Sequence, residues 1–169
     1  VHVPLITDGE TPTQHLLNAQ HFENMHDRQL LISAGRGAAL DNQALLERLR
    51  QPNAPQVAMD VWEGEPNILP ELWPLALIAT PHIAGHALEG KLRGTQVVAR
   101  RLANFLGKPF TGPSVREVAE TLHRRPEPLP TLDWALRAQQ VYDVREDARR
   151  MRQALTNLTG TELAAAFDR

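Results

Sequence analysis

The strongest constraint on the fold is a set of short apolar runs that do not alternate with polar residues. Leu30-Leu31-Ile32, Gln56-Val57-Ala58-Met59-Asp60-Val61 and Leu75-Ala76-Leu77-Ile78-Ala79 are each long enough for a strand and too short for a helix. A strand with one wet face alternates apolar and polar residues, whereas a run apolar on both sides belongs to a parallel sheet covered on both faces. Between the first two runs, Gly35-Arg36-Gly37 breaks the strand and Asp41 stands ready to cap a helix. Leu45, Leu46 and Leu49 then give that helix one apolar face. Strand, helix and strand in this order predict an α/β fold.

Further along, Leu88, Leu92, Thr95, Ala99, Leu102 and Leu106 recur at helical spacing, predicting a long helix ended by Gly107-Lys108-Pro109. We place a boundary near Phe110, giving domains 1–110 and 111–169. Arg124-Arg125-Pro126-Glu127-Pro128-Leu129-Pro130 reads as an extended linker. Helical segments are expected over Leu132–Leu155 and Thr161–Phe167. A piece the size of 111–169 rarely builds its own core, since a lone core below about 70–80 residues seldom suffices. Leu132, Leu136, Val141, Val144, Met151 and Leu155 are therefore expected to be covered by the other domain or by a second subunit. The chain opens on Val1-His2-Val3-Pro4 and closes in a helical pattern, Glu162–Arg169, so it is expected to be part of a longer protein.

Composition excludes several classes. With 18 basic and 20 acidic residues the net charge is −2, and neither side of Phe110 is basic enough for nonspecific binding of nucleic acid or an anionic membrane. No apolar run reaches bilayer length, and a cytoplasmic location is the expectation. The absence of cysteine removes disulfides, thiol catalysis and thiolate-ligated metals. Gly-x-Gly-x-x-Gly, P-loop, His-Glu-x-x-His and nucleophile-elbow patterns do not occur in the chain.

What remains is a polar group after each run, where open α/β sheets bind ligands. Arg36, between two glycines, is either a rigid fork for a carboxylate or a solvated arginine in a tight turn. Asp60 ends a buried run, a position that often caps the next helix. Glu65 precedes Pro66, which biases it towards extended backbone, and is either functional or a surface-loop acid. His82, among small and apolar neighbours, suits proton transfer near neutral pH, and equally a capping or buried histidine. His82 and His86 stand four apart, but no carboxylate holds a metalloprotease position, so no metal is assigned.

Taken together, these segments resemble the D-2-hydroxyacid dehydrogenase family. The matching strings are His2-Val3-Pro4-Leu5, Ile32-Ser33-Ala34-Gly35-Arg36-Gly37, Met59-Asp60-Val61-Trp62-Glu63-Gly64-Glu65-Pro66 and Thr80-Pro81-His82-Ile83-Ala84-Gly85. They fall in the family's order over the first two-thirds of the chain. Glu89-Gly90-Lys91-Leu92-Arg93-Gly94-Thr95 and Val141-Tyr142-Asp143-Val144-Arg145 narrow it to a branch that takes a phosphorylated 2-hydroxy acid and adds a C-terminal dimerisation domain. The resemblance implies the second half of a Rossmann-type NAD-binding domain, with the glycine-rich turn before Val1, followed by that dimerisation domain, and a homodimer. It implies that Arg36 clamps the substrate carboxylate, that His82 takes the C2 hydroxyl proton, and that Glu65 orients the imidazole. Val3, Ala34, Gly35, Arg36, Asp60 and Gly85 would line the NAD, and His86 would reach the substrate with Arg36. Gly35 stands where this branch often has Cys or Ser, which should loosen the turn, and His86 where it typically has Tyr. Two other readings are a dehydrogenase for another 2-hydroxy acid and a non-catalytic, dinucleotide-sensing interaction protein.

Overall fold

A computed structural model describes residues 1–122 and 133–168. The described chain packs as two compact units, Val1–His82 with Asp143–Arg169, and Ile83–Tyr142. This division differs from the sequence boundary near Phe110, and the reason lies in the C-terminal helices, which join the core of the sheet.

In the first unit, β1 (Leu30–Ser33), β2 (Gln56–Met59) and β3 (Ile78–Ala79) form a parallel sheet in the order β1-β2-β3. Leu30 pairs with Gln56 through to Ser33 with Met59, and Ala58 and Met59 pair with Ile78 and Ala79. β2 and β3 fall within their apolar runs, and β1 extends one residue past its run to Ser33. A short helix α1 (Ala19–Glu23) precedes β1, and α2 (Asn42–Leu49) makes the crossover to β2. Asp41 caps α2 by accepting from the Ala44 N–H at 2.9 Å, satisfying one of the free amides of the first turn. Leu45 and Leu46 enter the core.

That core gathers Phe22, Leu31, Leu40, Leu45, Val57, Met59, Trp62, Leu72 and Trp73 with residues far down the chain. Helix α6 (Val144–Leu155) supplies Met151 and Leu155, and α7 (Gly160–Phe167) supplies Leu163 and Phe167. Burying side chains of this size contributes about 1.5–3 kcal/mol each. Arg152 adds a stacked contact, its guanidinium 5.8 Å from the Trp73 ring centre. The cover expected for Met151 and Leu155 is thus the sheet unit itself.

Two expectations are corrected here. The sheet is not covered on both faces within the described residues: Leu31 and Ser33 are buried, while Leu30 and Ile32 on the other face, and Leu77 ahead of β3, are more than half exposed. The single helical segment expected from Leu132 to Leu155 is divided. Helix α5 (Trp134–Val141) stops at Tyr142, whose φ of −156° is extended, and Asp143 caps α6 by accepting from the Arg145 N–H. An aspartate that captures the free amides of a helix start competes with helix continuation. The Arg124–Pro130 linker lies outside the described residues.

In the second unit, α3 (Leu88–Phe105) follows the expected long helix, and Gly107 ends it with φ +63°. It packs on α4 (Val115–Leu122). The Gln96 side chain donates to the Pro113 carbonyl at 2.6 Å, and Arg100 stacks 5.1 Å from the Phe110 ring centre. Leu88, Leu92 and Ala99 of the predicted stripe are half-buried, but Leu102 and Leu106 are exposed, as are Val97, Val98 and Phe105.

Candidate active site

Parallel pairing brings the carboxyl ends of β1, β2 and β3 to one edge of the sheet. The chain leaves each end with a polar group: Arg36 three residues beyond Ser33, Asp60 directly after Met59, and His82 three residues beyond Ala79.

The ends of β2 and β3 are locked together. Asp60, 7% exposed, accepts from the Thr80 hydroxyl at 2.6 Å through Oδ1. The Asp60 carbonyl accepts from the His82 N–H at 2.7 Å, and the Met59 carbonyl from the Thr80 N–H at 2.9 Å. The Trp62 indole N–H donates to the Thr80 carbonyl at 2.9 Å. With its backbone so bound, His82 sits at φ +56°, a left-handed conformation that costs a non-glycine residue about 1–3 kcal/mol. Such strain persists only where the surroundings over-determine it, and here four hydrogen bonds between two strand ends do so.

Glu65 completes the arrangement. One carboxylate oxygen, Oε1, accepts from the Trp62 backbone N–H at 2.5 Å, and Oε2 lies 2.7 Å from His82 Nδ1. The carboxylate is therefore an acceptor towards the imidazole, which places the Nδ1 proton between them and leaves Nε2 for a ligand. The two side chains are 24% and 39% exposed, so the pair is screened from water on one side and open on the other.

Arg36 leaves β1 in an extended conformation and is exposed; its Nη1 donates to the Gly35 carbonyl at 2.9 Å. Gly35 is buried against the N-terminal segment, and a Cβ there would come within 2.9 Å of the His2 Cα. The turn is tightly packed at Gly35, not loosened. The Ala34 N–H donates to the Val1 carbonyl at 3.2 Å, and the Ala34 carbonyl lies 3.0 Å from His2 Nδ1, so the half-buried Val3 runs beside the end of β1. At Gly37 a Cβ would overlap the carbonyl of Trp62; the Arg36 turn and the loop leading to Glu65 touch backbone to backbone.

The structure thus joins Glu65 directly to His82 and sets the Arg36 turn against the Glu65 loop. Asp60 is a buried clasp between strands, with one oxygen committed to Thr80. Gly85 and His86 belong to the second unit and are exposed. Sequence reasoning gave no separate role to Thr80 or to Trp62. It also missed a neighbouring cluster in which ligand atoms of His15, Asp41 and Glu63 lie within 4.8 Å of one another. Each of these is already engaged: His15 Nε2 with Glu63 Oε1 at 2.6 Å, Asp41 Oδ1 with the Ala44 N–H, and Glu63 Oε2 with the Asn42 N–H at 3.3 Å. This is a hydrogen-bonded tie and not an open coordination sphere.

Comparison with known proteins places these features in context. Residues 1–84 match the family model described as D-isomer specific 2-hydroxyacid dehydrogenase, NAD binding domain. The chain is 52% identical over 108 residues to the erythronate-4-phosphate dehydrogenase of Idiomarina loihiensis, covering 64% of this chain and 28% of that protein. It is 39% identical over 177 residues to the enzyme of the same name from Marinobacter nauticus, covering all of this chain and 45% of that protein. Among solved structures, a glyoxylate reductase from Paecilomyes thermophila superposes with a TM-score of 0.50 at 28% identity, over 64% of this chain and 34% of that one. The chain spans less than half the length of the curated relatives it matches.

Proposed function

Because the chain belongs to the D-isomer specific 2-hydroxyacid dehydrogenase family, we propose that it carries part of the active site of an NAD-dependent dehydrogenase acting on 4-phospho-D-erythronate. The product is 2-oxo-3-hydroxy-4-phosphobutanoate, a step in vitamin B6 biosynthesis. The observation that carries this reading is the Glu65–His82 contact of 2.7 Å at the end of β3, where Nε2 remains open.

Arg36 receives the substrate carboxylate, its planar fork offering two parallel N–H donors, and so orients C2. His82 Nε2 accepts the C2 hydroxyl proton. Glu65, hydrogen-bonded to Nδ1, stabilises the imidazolium that results, and keeps the ring from turning because its other oxygen is pinned to Trp62. The turn after β1 is built of small residues, Ala34, Gly35 and Gly37, and the backbone of His2 and Trp62 fills the space a Cβ would take at Gly35 and Gly37, so a dinucleotide would meet this edge chiefly through backbone. Val3, Ala34 and Gly35 would hold NAD, chiefly through backbone, and NAD when bound supplies the acceptor for the C2 hydride.

The exposed apolar residues of α3, Val98, Leu102 and Phe105, support a homodimer, and no helix among the described residues is long and apolar enough to cross a membrane. The test is NADH formation by the intact protein with 4-phospho-D-erythronate, glycerate or lactate. The phosphorylated acid is the expected substrate; turnover of glycerate or lactate in its place moves the assignment to another 2-hydroxy acid. In the same assay Arg36→Lys keeps the charge but loses the two-pronged contact, and kcat/KM is expected to fall; unchanged kinetics would remove Arg36 from the clamp role.

A further inference from the structure

The residues assigned above reach the sheet edge from separate loops, and one buried side chain joins those loops without facing the substrate. Asn42, the first residue of α2, is 2% exposed. Its amide nitrogen donates to the Leu40 carbonyl at 2.9 Å and to the Gly37 carbonyl at 3.4 Å, both in the turn that follows Arg36. Its amide oxygen accepts from the Glu63 backbone N–H at 3.2 Å, and its own backbone N–H donates to Glu63 Oε2 at 3.3 Å. Glu63 stands two residues before Glu65 and one after Trp62. Its remaining oxygen meets His15 Nε2 at 2.6 Å, and the His15 N–H donates to the Ala38 carbonyl at 2.8 Å, again in the Arg36 turn. Two routes, one through Asn42 and one through His15, therefore lead from Glu63 to the backbone beside Arg36.

We propose that Asn42 and Glu63 are positioning residues that hold the Arg36 turn against the Glu65–His82 pair. The inference rests on the roles given to Arg36 and His82 above. The physical case is geometric. A carboxylate clamp and a proton acceptor work on one substrate only when their separation is held closely, and a misplacement of about 1 Å can cost about 10²-fold. Asn42 suits this task because its amide both donates and accepts. An apolar residue of the same size would leave the Leu40 carbonyl and the Glu63 N–H without these partners.

The test uses the full-length protein with substitutions Asn42→Ala, Glu63→Ala and Glu63→Gln, singly and on an Arg36→Lys background. Glu63 is partly exposed, so its variants are expected to fold even where Asn42→Ala does not. Glu63→Ala and Asn42→Ala are expected to lower kcat/KM for the hydroxy acid by about 10- to 100-fold, as for displaced catalytic groups, with the KM for NAD little changed. Glu63→Gln, which keeps an acceptor for Asn42, is expected to recover most of the loss. On the Arg36→Lys background each is expected to cost less than about twofold further, the limit set by ordinary additivity. Fully additive losses, or wild-type kinetics in Glu63→Ala, would overturn the proposal. Amide exchange supplies a readout independent of substrate: segments 37–40 and 62–65 should open together in the wild type and be less closely coupled in Glu63→Ala, which loses the His15 route and keeps the bond from the Glu63 N–H to Asn42. Equal protection in both proteins would overturn the coupling. If the wild type oxidises no 2-hydroxy acid, the functional reading fails, and the exchange result still decides whether the loops are tied.

Discussion

Replacing Glu65 by Gln tests the Glu65–His82 pair most directly, because it removes a charge and leaves the shape. In the wild type one carboxylate accepts two hydrogen bonds, from the Trp62 N–H and from His82 Nδ1. An amide offers one oxygen, so its NH2 must face one of the two donors and one bond is lost. The bond to an imidazolium is charge-assisted, and such bonds contribute about 1.5–3 kcal/mol. A bare Coulomb estimate of about 4 kcal/mol at 4 Å is an upper bound, because the side chains are 24% and 39% exposed and water screens them. In the proposed reaction the charge on His82 arises only as the proton is taken, so the loss falls on the transition state and not on the ground state. The expected result is a fall in kcat of about 10- to 150-fold, with KM for the hydroxy acid within about twofold, the pattern of an interaction made only in the transition state. Steady-state assays with 2-hydroxy acid deuterated at C2 refine this: a chemical step slowed so far should show a larger isotope effect on kcat. A variant with kcat within about twofold of wild type would refute the reasoning, since the bond energy cited could not then act in the rate-limiting step.

Other expectations follow from packing and capping. Gly37→Ala places a methyl group on the Trp62 carbonyl; because backbone opposes it on both sides, a loss of about 1–3 kcal/mol is expected from overpacking, read as a lower urea midpoint together with reduced activity. Leu155→Ala empties a site 1% exposed and should cost about 2–5 kcal/mol; a midpoint unchanged by the substitution would mean that α6 does not pack in the sheet core. Asp143 has its carboxyl held below the usual aspartate range, chiefly by the hydrogen bond from the Arg145 side chain. A depressed carboxylate contributes stability that is complete above its unfolded value and lost as pH falls through the folded one. Helicity followed by circular dichroism should therefore decline as the pH falls below the ordinary aspartate range and the α6 cap is protonated, and Asp143→Asn, still a good cap, should lose that part of the acid response.

The parts of the fold written in the sequence are those decided locally. The three strands lie in their apolar runs, β1 with one residue more, and α2 begins after Asp41, because strand burial and helix capping leave patterns within a few residues. The break at Tyr142–Asp143 was also locally encoded, in an aspartate with Glu146 three residues on, but the apolar spacing of the helices on either side masked it. What the sequence could not reveal was long-range. Nothing near Met151 and Leu155 says that they join a core begun at Phe22, and the exposed face of β1 looks the same in sequence as its buried face. The site follows the same rule. Glu65, His82 and Arg36 were visible as reactive types beside strand ends, whereas Thr80, Asn42 and His15 are polar residues of ordinary kind whose partners lie 20 to 48 positions away.

That contrast says how this sheet edge is built. The groups suited to chemistry are half-exposed and hold few bonds of their own, Arg36 one to its neighbouring carbonyl and Glu65 one to a backbone amide besides that to His82. The geometry is set one layer beneath, by buried groups that offer nothing to a ligand. The Asp60 clasp with Thr80 forces His82 into its left-handed turn, and the Trp62 indole keeps the Glu65 loop on the Thr80 carbonyl. A strained histidine on a free loop would relax by about 1–3 kcal/mol into ordinary backbone and turn its ring away from Glu65. Here relaxation would first break the bond between the His82 N–H and the Asp60 carbonyl, leaving a polar group of a buried strand end unpaired at a cost of about 1–3 kcal/mol. The two terms are of the same size, so the turn holds only while the clasp is intact. Thr80→Val, which removes the hydroxyl and keeps the shape, would loosen that clasp and is expected to lower the proposed turnover of the intact protein without touching any group assigned to meet the substrate.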